Sequence, residues 1–484
     1  MATNNHLKKR TLASGELFPL SCLLETLHLG SDIWGSVTLE GEDPVIQSPH
    51  YLGEASASAH LSIGVAGAAI WKERTGKTTD ITINILDALN HLHPTHFVQQ
   101  QGKMINVGAE FVPVNGLFRC RDERHIMLEA GPPYTKLQKG YQNFFDCGDN
   151  KVSYTREVAQ WESFALEEAL SCAGLPACRT FTPEEWRSHP QGKLLAETPV
   201  VEIVKISDGD PVPFMHTGEL TAPLAGVKVL DFTHVLAGPR SARTLAEYGA
   251  DVLHISTHQH PDTFSQHLGV DVGKRCAYLD MNSPVDREKM GWLLEDADVF
   301  TTTYRTSVND RFGLTPEQAA NKSRRGIIYM SANAYGHRGP WAFRPGFDQN
   351  AQVASGFAYT EGGGNNPCFS PVFYLADLIT GYLAAAGMMA ALLRRAREGG
   401  SYHVRLSLAR SVMWVQELGL LDTCMQSHLP AKDTYRPRLV SYDSVYGTIT
   451  NLAPPLTFST LKLPQTTWIE PYGASEASWS SFLR

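Results

Sequence analysis

Two acidic residues hold the same place in two copies of one motif. Tyr374-Leu375-Ala376-Asp377 and Tyr51-Leu52-Gly53-Glu54 each open a run of small and apolar residues, Leu378 to Glu398 and Ala55 to Thr75. A carboxylate at the start of an apolar helix has two readings. It caps the helix, as Asp commonly does. Or it attacks a carbonyl, forming a covalent intermediate that splits one hard exchange into easier steps. Other patterns that could carry chemistry fall short. Gly76-Lys77-Thr78 resembles the end of a phosphate loop, but Trp71 stands where that motif needs glycine and a helix precedes it, so it reads as a helix C-cap. His91, His93 and His96 form a cluster broken by Pro94, which reads as a solvated loop with no metal. There is no Gly-x-Ser-x-Gly elbow. Gly362-Gly363-Gly364 lacks dinucleotide-loop spacing and reads as a flexible loop close to a ligand.

The elements around Asp377 follow from periodicity. Strands are expected at Val227–Phe232, Asp251–Ile255, Arg275–Met281, Val299–Thr302 and Gly326–Ser331. Helices are expected at Arg240–Tyr248, Val285–Ala297 and Pro316–Ser323. Alternation at this spacing argues for an α/β fold, a Rossmann-like parallel-sheet lobe built by crossovers. The two motif copies keep an ungapped register through the helix, through Gly76 and Gly399, and into an alternating strand: Ile81, Ile83, Ile85 and Val404, Leu406, Leu408. This reads as a partial internal duplication. The turn-rich stretch near 205–225 marks a boundary. The expected organisation is an N-terminal extension over 1–50, a helix, strand and smaller α+β domain over 51–212, and a linker over 213–222. The Rossmann-like lobe with the Asp377 helix covers 223–412, and an extension over 413–484 packs back on it.

Composition restricts the function. The chain has 484 residues, is 43% hydrophobic and carries a net charge of -8 with pI ≈ 6.1. That suits a large buried core and offers no basic stripe for nucleic acid. Cys22, Cys120, Cys147, Cys172, Cys178, Cys276, Cys368 and Cys424 form no Cys-x-x-Cys pair and read as reduced thiols. Met1 to Thr11 leads into no long apolar run, Leu378 to Leu393 reads as too short to span a membrane, and Ser481-Phe482-Leu483-Arg484 is not a peroxisomal signal. A cytoplasmic location without membrane contact is expected.

A longer run carries a resemblance. Pro223-Leu224-Ala225-Gly226-Val227-Lys228-Val229-Leu230-Asp231-Phe232, followed by Thr233 to Pro239, resembles the opening of family III CoA-transferases. That family includes formyl-CoA transferase, carnitine CoA-transferase and alpha-methylacyl-CoA racemase. Leu245 to Val252, Gly273-Lys274-Arg275, Leu279-Asp280, Ala297-Asp298-Val299, Arg311-Phe312-Gly313-Leu314 and Arg344-Pro345-Gly346-Phe347-Asp348 continue it in order. The resemblance covers 223–412. Residues 51–212, with His189-Pro190-Gln191-Gly192 and Glu197 to Val201, resemble the family's other part. The halves therefore stand in reversed order, through permutation or tandem duplication.

The resemblance implies a function. Asp377 matches the nucleophilic aspartate, whose carboxylate is expected to stay ionised at a helix N-terminus. It would take CoA from an acyl-CoA thioester through a mixed anhydride and an aspartyl-CoA thioester, then pass it to a small carboxylic acid. No cofactor is held permanently; CoA is a substrate. CoA would lie at the C-terminal ends of the parallel strands. His234, Leu236 and Ala237 sit in the first turn there. Leu279, Tyr304 and Arg311 match further contacts, with Tyr304 on adenine and Arg311 on phosphate. Ser256-Thr257 replaces the family's Glu-Arg pair, so Lys274, Arg275 or Arg305 would compensate. Phe347 stands where racemase members carry a histidine. A racemase reading therefore needs Asp348 or His337 as base, and a non-catalytic CoA-binding protein is the remaining alternative. Glu54 reads as structural. The family's interlaced dimers imply a homodimer, with Asp377's pocket completed by residues before 213.

Overall fold

The structure, a computed structural model, describes residues 8–30, 35–105, 112–131, 134–214, 220–259, 262–364, 366–372, 374–422, 429 and 435–479. Part of the expected linker (215–219), Cys424 and the last five residues lie outside them.

The five strands expected in the lobe lie in one sheet of seven, joined by the strand expected after Gly399 and by Glu202–Ser207, which was not expected. Its order is Arg275–Tyr278, Asp251–Ser256, Lys228–Phe232, Val299–Thr302, Ile328–Asn333, Ser401–Ser407 and Glu202–Ser207. The first six are mutually parallel, and Glu202–Ser207 closes the edge antiparallel to Ser401–Ser407. Numbered along the lobe, the parallel strands run 3-2-1-4-5-6, the doubly wound order, which opens a crevice between the first and fourth strands. The short helices Phe264–Val270, Thr306–Phe312, Asp348–Ala354 and Phe357–Glu361 were not expected. Each is seven residues or fewer, below the span over which a 3.6-residue period can be read.

The duplication is real and extends further than the motif. Leu52–Thr75 and Leu375–Glu398 are both 24-residue helices, ending at Gly76 and Gly399. Both lead into strands, Ile81–Asn84 and Ser401–Ser407. The last residue of each strand, Asn84 or Ser407, then caps a following helix with its side chain. The second of these helices, Leu408–Glu417, runs across the expected boundary at 412.

Small residues let three helices approach closely: Leu52–Thr75, Leu375–Glu398 and Ala237–Glu247. A Cβ at Gly381 would lie 2.7 Å from the Ala237 carbonyl oxygen, and one at Gly67 would lie 2.4 Å from the Tyr248 ring. Leu375–Glu398 is longer than the expected run and is apolar enough to cross a membrane by length and composition. Its apolar window is wholly buried inside the protein.

The smaller domain pairs Gly116–Arg119, His125–Leu128 and Ala177–Arg179 under three helices, with a separate core around Phe118, Tyr141 and Leu166. The ends of the chain are part of the fold. Lys9–Thr11, Val37–Glu40, Ile81–Asn84 and Leu456–Phe458 make one sheet, and Gly447–Leu452 pairs with Gln99–Gln100. The C-terminal segment thus joins sheets of the first half as well as touching the lobe, where Gly273 N–H donates to the Trp468 carbonyl. The histidine cluster is solvated only in part: His96 is exposed, but His91 is not. His91 is buried, packs on His60 and bonds the Ala453 carbonyl.

Gly381→Val should lower the unfolding free energy by about 1–3 kcal/mol, because its side chain must push apart two packed helices. Chemical denaturation of the full chain measures this, and an unchanged midpoint would refute the close approach.

Candidate active site

Asp377 does not cap its helix. It is the third residue of Leu375–Glu398, and the N-cap residue is Tyr374, whose side chain makes no capping bond. Its carboxyl instead lines a cavity of about 80 Å³ with His234, Val235, Ala237, Thr303 and Phe347. This is the crevice between the first and fourth parallel strands. His234 to Ala237 follow the first strand and Thr303 follows the fourth, so chain order and strand order together place the loops against Asp377.

Three buried carboxyls meet here. Asp348 Oδ2 accepts the Asp377 backbone N–H at 2.9 Å. Asp348 Oδ1 accepts from the Gln352 amide. Glu129, from the smaller domain, lies within electrostatic range of both aspartates and is met by the Gln349 amide. Burial, and then the neighbouring Asp348, push Asp377 well above the usual carboxylate range. Burial raises Asp348 to about 7, against the N–H groups of Asp377 and Ala376 and the Gln352 amide, which pull it back. Burial, then Asp348 and Asp377, raise Glu129 well above its usual value. Burial and the neighbouring carboxyl thus oppose the ionisation expected from the helix N-terminus. A helix dipole contributes roughly 0.3–1 kcal/mol, and a single pKa unit already amounts to about 1.4 kcal/mol. Three carboxyls buried together cannot all carry charge at once, so proton loss from Asp377 is coupled to the charge on Asp348 and Glu129.

Glu129 joins the carboxyls from before residue 213 in the same chain, and so does Tyr134 join the rings beside the cavity: it stacks on Phe347 and meets His234 edge-on. The sequence signal for Glu129 was a carboxylate at a strand end just before Gly131-Pro132-Pro133. Asp348 had been weighed only as a racemase base. His337, the other such candidate, lies elsewhere: it bonds Ser331 at 2.7 Å, lines a separate cleft, and is kept neutral by burial, its pKa lowered to about 3.

The expected CoA contacts scatter. His234 and Ala237 reach the cavity, and Leu236 is buried behind it. Leu279 is core, 3% exposed. Tyr304 has one face stacked on His234, with centroids 4.4 Å apart, and the other against Phe232, so no face is open for adenine. Lys274 is fully buried, donating to Asp231 at 2.8 Å and Asp271 at 3.0 Å, so its charge is spent inside the lobe. Asp231, His254 and Asp271 have ligand atoms close enough together for an ion, but that ammonium already bridges both carboxylates. Arg275 pairs with Asp251. Arg311 bonds Asn282 at the surface. Arg305, also exposed, directly follows the crevice loop.

Glu54 differs from Asp377 in one respect. Asp43 accepts the N–H groups of Gly53 and Glu54, as Asp348 does for Ala376 and Asp377. Glu54, however, pairs with Arg10 at 3.0 Å, and Asp377 has no ion-pair partner among the described residues.

Val235 was missed altogether. Its φ is 68°, a left-handed conformation rare for a β-branched residue and costing roughly 1–3 kcal/mol. Its N–H donates to half-buried Asp262 at 3.0 Å, and the Tyr134 hydroxyl reaches the same carboxylate at 3.5 Å. Asp262 therefore pins the strained turn that faces Asp377. Asp262→Ala, by leaving that N–H unpaired, should lower stability by about 1–3 kcal/mol. Val235→Gly should raise it by about 1 kcal/mol, because glycine adopts this φ without strain. Denaturation of both variants tests the pair, and a destabilised Val235→Gly would contradict the strain.

Comparison with known proteins follows the same lines. A family model described as CoA-transferase family III matches residues 224–449. An acyl-CoA transferase of Gibberella moniliformis is 34% identical over 418 residues, covering 77% of this chain and 72% of that protein. An acetyl-coenzyme A transferase of Hypoxylon pulicicidum is 36% identical over 206 residues, 41% of this chain and 35% of that one. An acetyl-CoA:oxalate CoA-transferase of Acetobacter aceti is 29% identical, over 46% of this chain and 60% of its own length. This chain thus spans less than two thirds of the latter two. A solved CAIB/BAIF family protein from Brucella suis superposes with a TM-score of 0.38 at 25% identity, over 47% of this chain and 65% of that one. The chain belongs to CoA-transferase family III and is an enzyme of that family.

Proposed function

We propose that this protein moves CoA from an acyl-CoA thioester to a carboxylic acid, with Asp377 as the nucleophile. The observation that carries this reading is the buried Asp377 carboxyl facing the crevice loop, beside two carboxyls to whose charge its proton loss is coupled. The Asp377 carboxylate attacks the thioester carbonyl, and the C–S bond breaks. A mixed anhydride forms and CoA leaves as thiolate. The thiolate attacks the aspartyl carbonyl of the anhydride, releasing the donor's carboxylate and leaving an aspartyl-CoA thioester. The acceptor carboxylate attacks that thioester, and the same two steps reverse. The acceptor leaves as its CoA thioester and Asp377 is restored. His234 and Ala237 would border the CoA sulfur, and Arg305 would meet phosphate at the crevice mouth.

Transfer is favoured over racemisation by the wall opposite Asp377. Phe347 fills the place of a base and is stacked on Tyr134, and it has no proton to exchange. The smaller domain of the same chain brings Glu129 and Tyr134 to this site.

Incubation with a panel of acyl-CoA donors should give a covalent adduct on intact mass, trapped by hydroxylamine and absent in Asp377→Ala. Label from a free acid should enter the thioester pool. Alpha-proton exchange without any acceptor, and no label transfer, would replace this reading by the racemase.

The acidic limb of the pH–rate profile should respond to Asp348→Asn. Asparagine keeps an oxygen to accept the N–H groups but removes a negative charge beside Asp377, so Asp377 ionises at lower pH. The limb should move down by about one unit or more, equivalent to ~1.4 kcal/mol. A limb that stays or moves up would mean that Asp348 does not set the ionisation of Asp377.

A further inference from the structure

Farther along the same helices lies a second cavity, of about 520 Å³. Tyr382, which lines it, is five residues beyond Asp377, about 7 Å along the helix axis. The contact of Gly381 with Ala237 and Arg240 stands between the two cavities. One wall is polar: Arg240, Arg243, Glu247, Tyr248, His60 and Tyr382. The opposite wall comes from the C-terminal strap and is apolar, with Leu452, Leu456, Phe458, Leu461 and Leu463.

The charges on the polar wall do not balance. Arg240 and Arg243 are 3% and 8% exposed, and both pair with Glu247, at 2.7 and 2.9 Å. Among the described residues no other carboxylate pairs with either. Two buried guanidiniums on one carboxylate leave one positive charge in excess, which burial makes costly. Two donors of this wall, Arg240 Nε and the Tyr248 hydroxyl, also lack a hydrogen-bond partner. His60 donates from Nδ1 to the Ser56 carbonyl at 2.8 Å, so its Nε2 carries the lone pair. Burial lowers His60 to about 4, so it adds no second charge. The Arg438 guanidinium at the rim pairs with Asp87.

An amphipathic monoanion meets both walls at once. We infer that this cavity binds a free monocarboxylate with a saturated, medium-length chain, its carboxylate on the Arg240–Arg243 wall and its chain against the C-terminal strap. This site is distinct from the reaction cavity, and the inference does not rest on the CoA chemistry. The size agrees. Ligand pockets span roughly 300–1,000 Å³, and an eight-carbon acid occupies about 300 Å³ at the ~30 Å³ that a water takes in the liquid.

Calorimetric titration of the full chain with octanoate, and separately with 1-octanol, tests this. Octanoate should bind with one-to-one stoichiometry and at least about tenfold more tightly than the alcohol. Arg243→Gln should weaken octanoate by about tenfold or more. Ala453→Trp, which fills the cavity without touching its charges, should abolish binding while circular dichroism and the melting midpoint stay those of the parent. Asp377→Asn should leave octanoate affinity within about twofold. No octanoate binding, equal affinity for acid and alcohol, or binding that survives Ala453→Trp but is lost in Asp377→Asn would each overturn the inference. The last outcome would place the acid in the reaction cavity. If Arg243→Gln does not fold, the alcohol comparison and Ala453→Trp decide alone.

Discussion

The contact on which the site depends is the carboxylate of Asp348 against the first turn of the Asp377 helix. It takes the N–H of Asp377 at 2.9 Å, which fixes where that helix begins and which way its third side chain points. The same short helix, Asp348–Ala354, docks the smaller domain: the Asn350 amide donates to the Met127 carbonyl, and Phe181 N–H donates to the Val353 carbonyl. Met127 is two residues before Glu129. One seven-residue element therefore sets the distance between all three carboxyls. The arrangement opposes stability, since the groups are buried and repel when charged. It survives because amide donors and shared protons offset part of that cost.

The duplicated copy shows what the same backbone does without chemistry to perform. Asp43 grips the first turn of its helix as Asp348 does. There the helix-borne carboxylate is Glu54, one methylene longer, and Arg10 closes on it. The Glu54 carboxylate is engaged by a guanidinium, whereas burial and Asp348 push Asp377 well above the usual carboxylate range. The two matched positions differ through a partner far away in sequence, Arg10, which Glu54 has and Asp377 lacks among the described residues.

That explains how far the sequence could be read. The parallel lobe was legible because strands and helices of ordinary length carry their own periodicity, and Asp377 was legible through register with its twin and through family resemblance. Glu129, Asp262 and strained Val235 were not. Their roles come from what tertiary packing sets beside them, and no local pattern records it. Electrostatic assignments failed for the same reason. Lys274 follows Gly273 in a run that reads as a phosphate contact, yet buried Asp231 and Asp271, far apart in sequence, claim its ammonium. A cation's sequence position shows that a charge is present but not whether it is already spent.

Lys274 also sets a limit on how the crevice can be tuned. Asp231 sits on the first strand, beneath the loop that carries Val235, and accepts from Thr233 and Thr301 as well as from Lys274. Lys274 and His254 hold it ionised against the burial that would raise it. Removing the lysine would strand two buried carboxylates, a loss of several kcal/mol by the usual cost of breaking a buried pair. A cluster this costly to disturb cannot be given over to substrate binding. The chain therefore keeps its rigid charges under the sheet's switch point. Any cation that is to meet an anionic substrate must then lie at the rim, where exchange with solvent costs little.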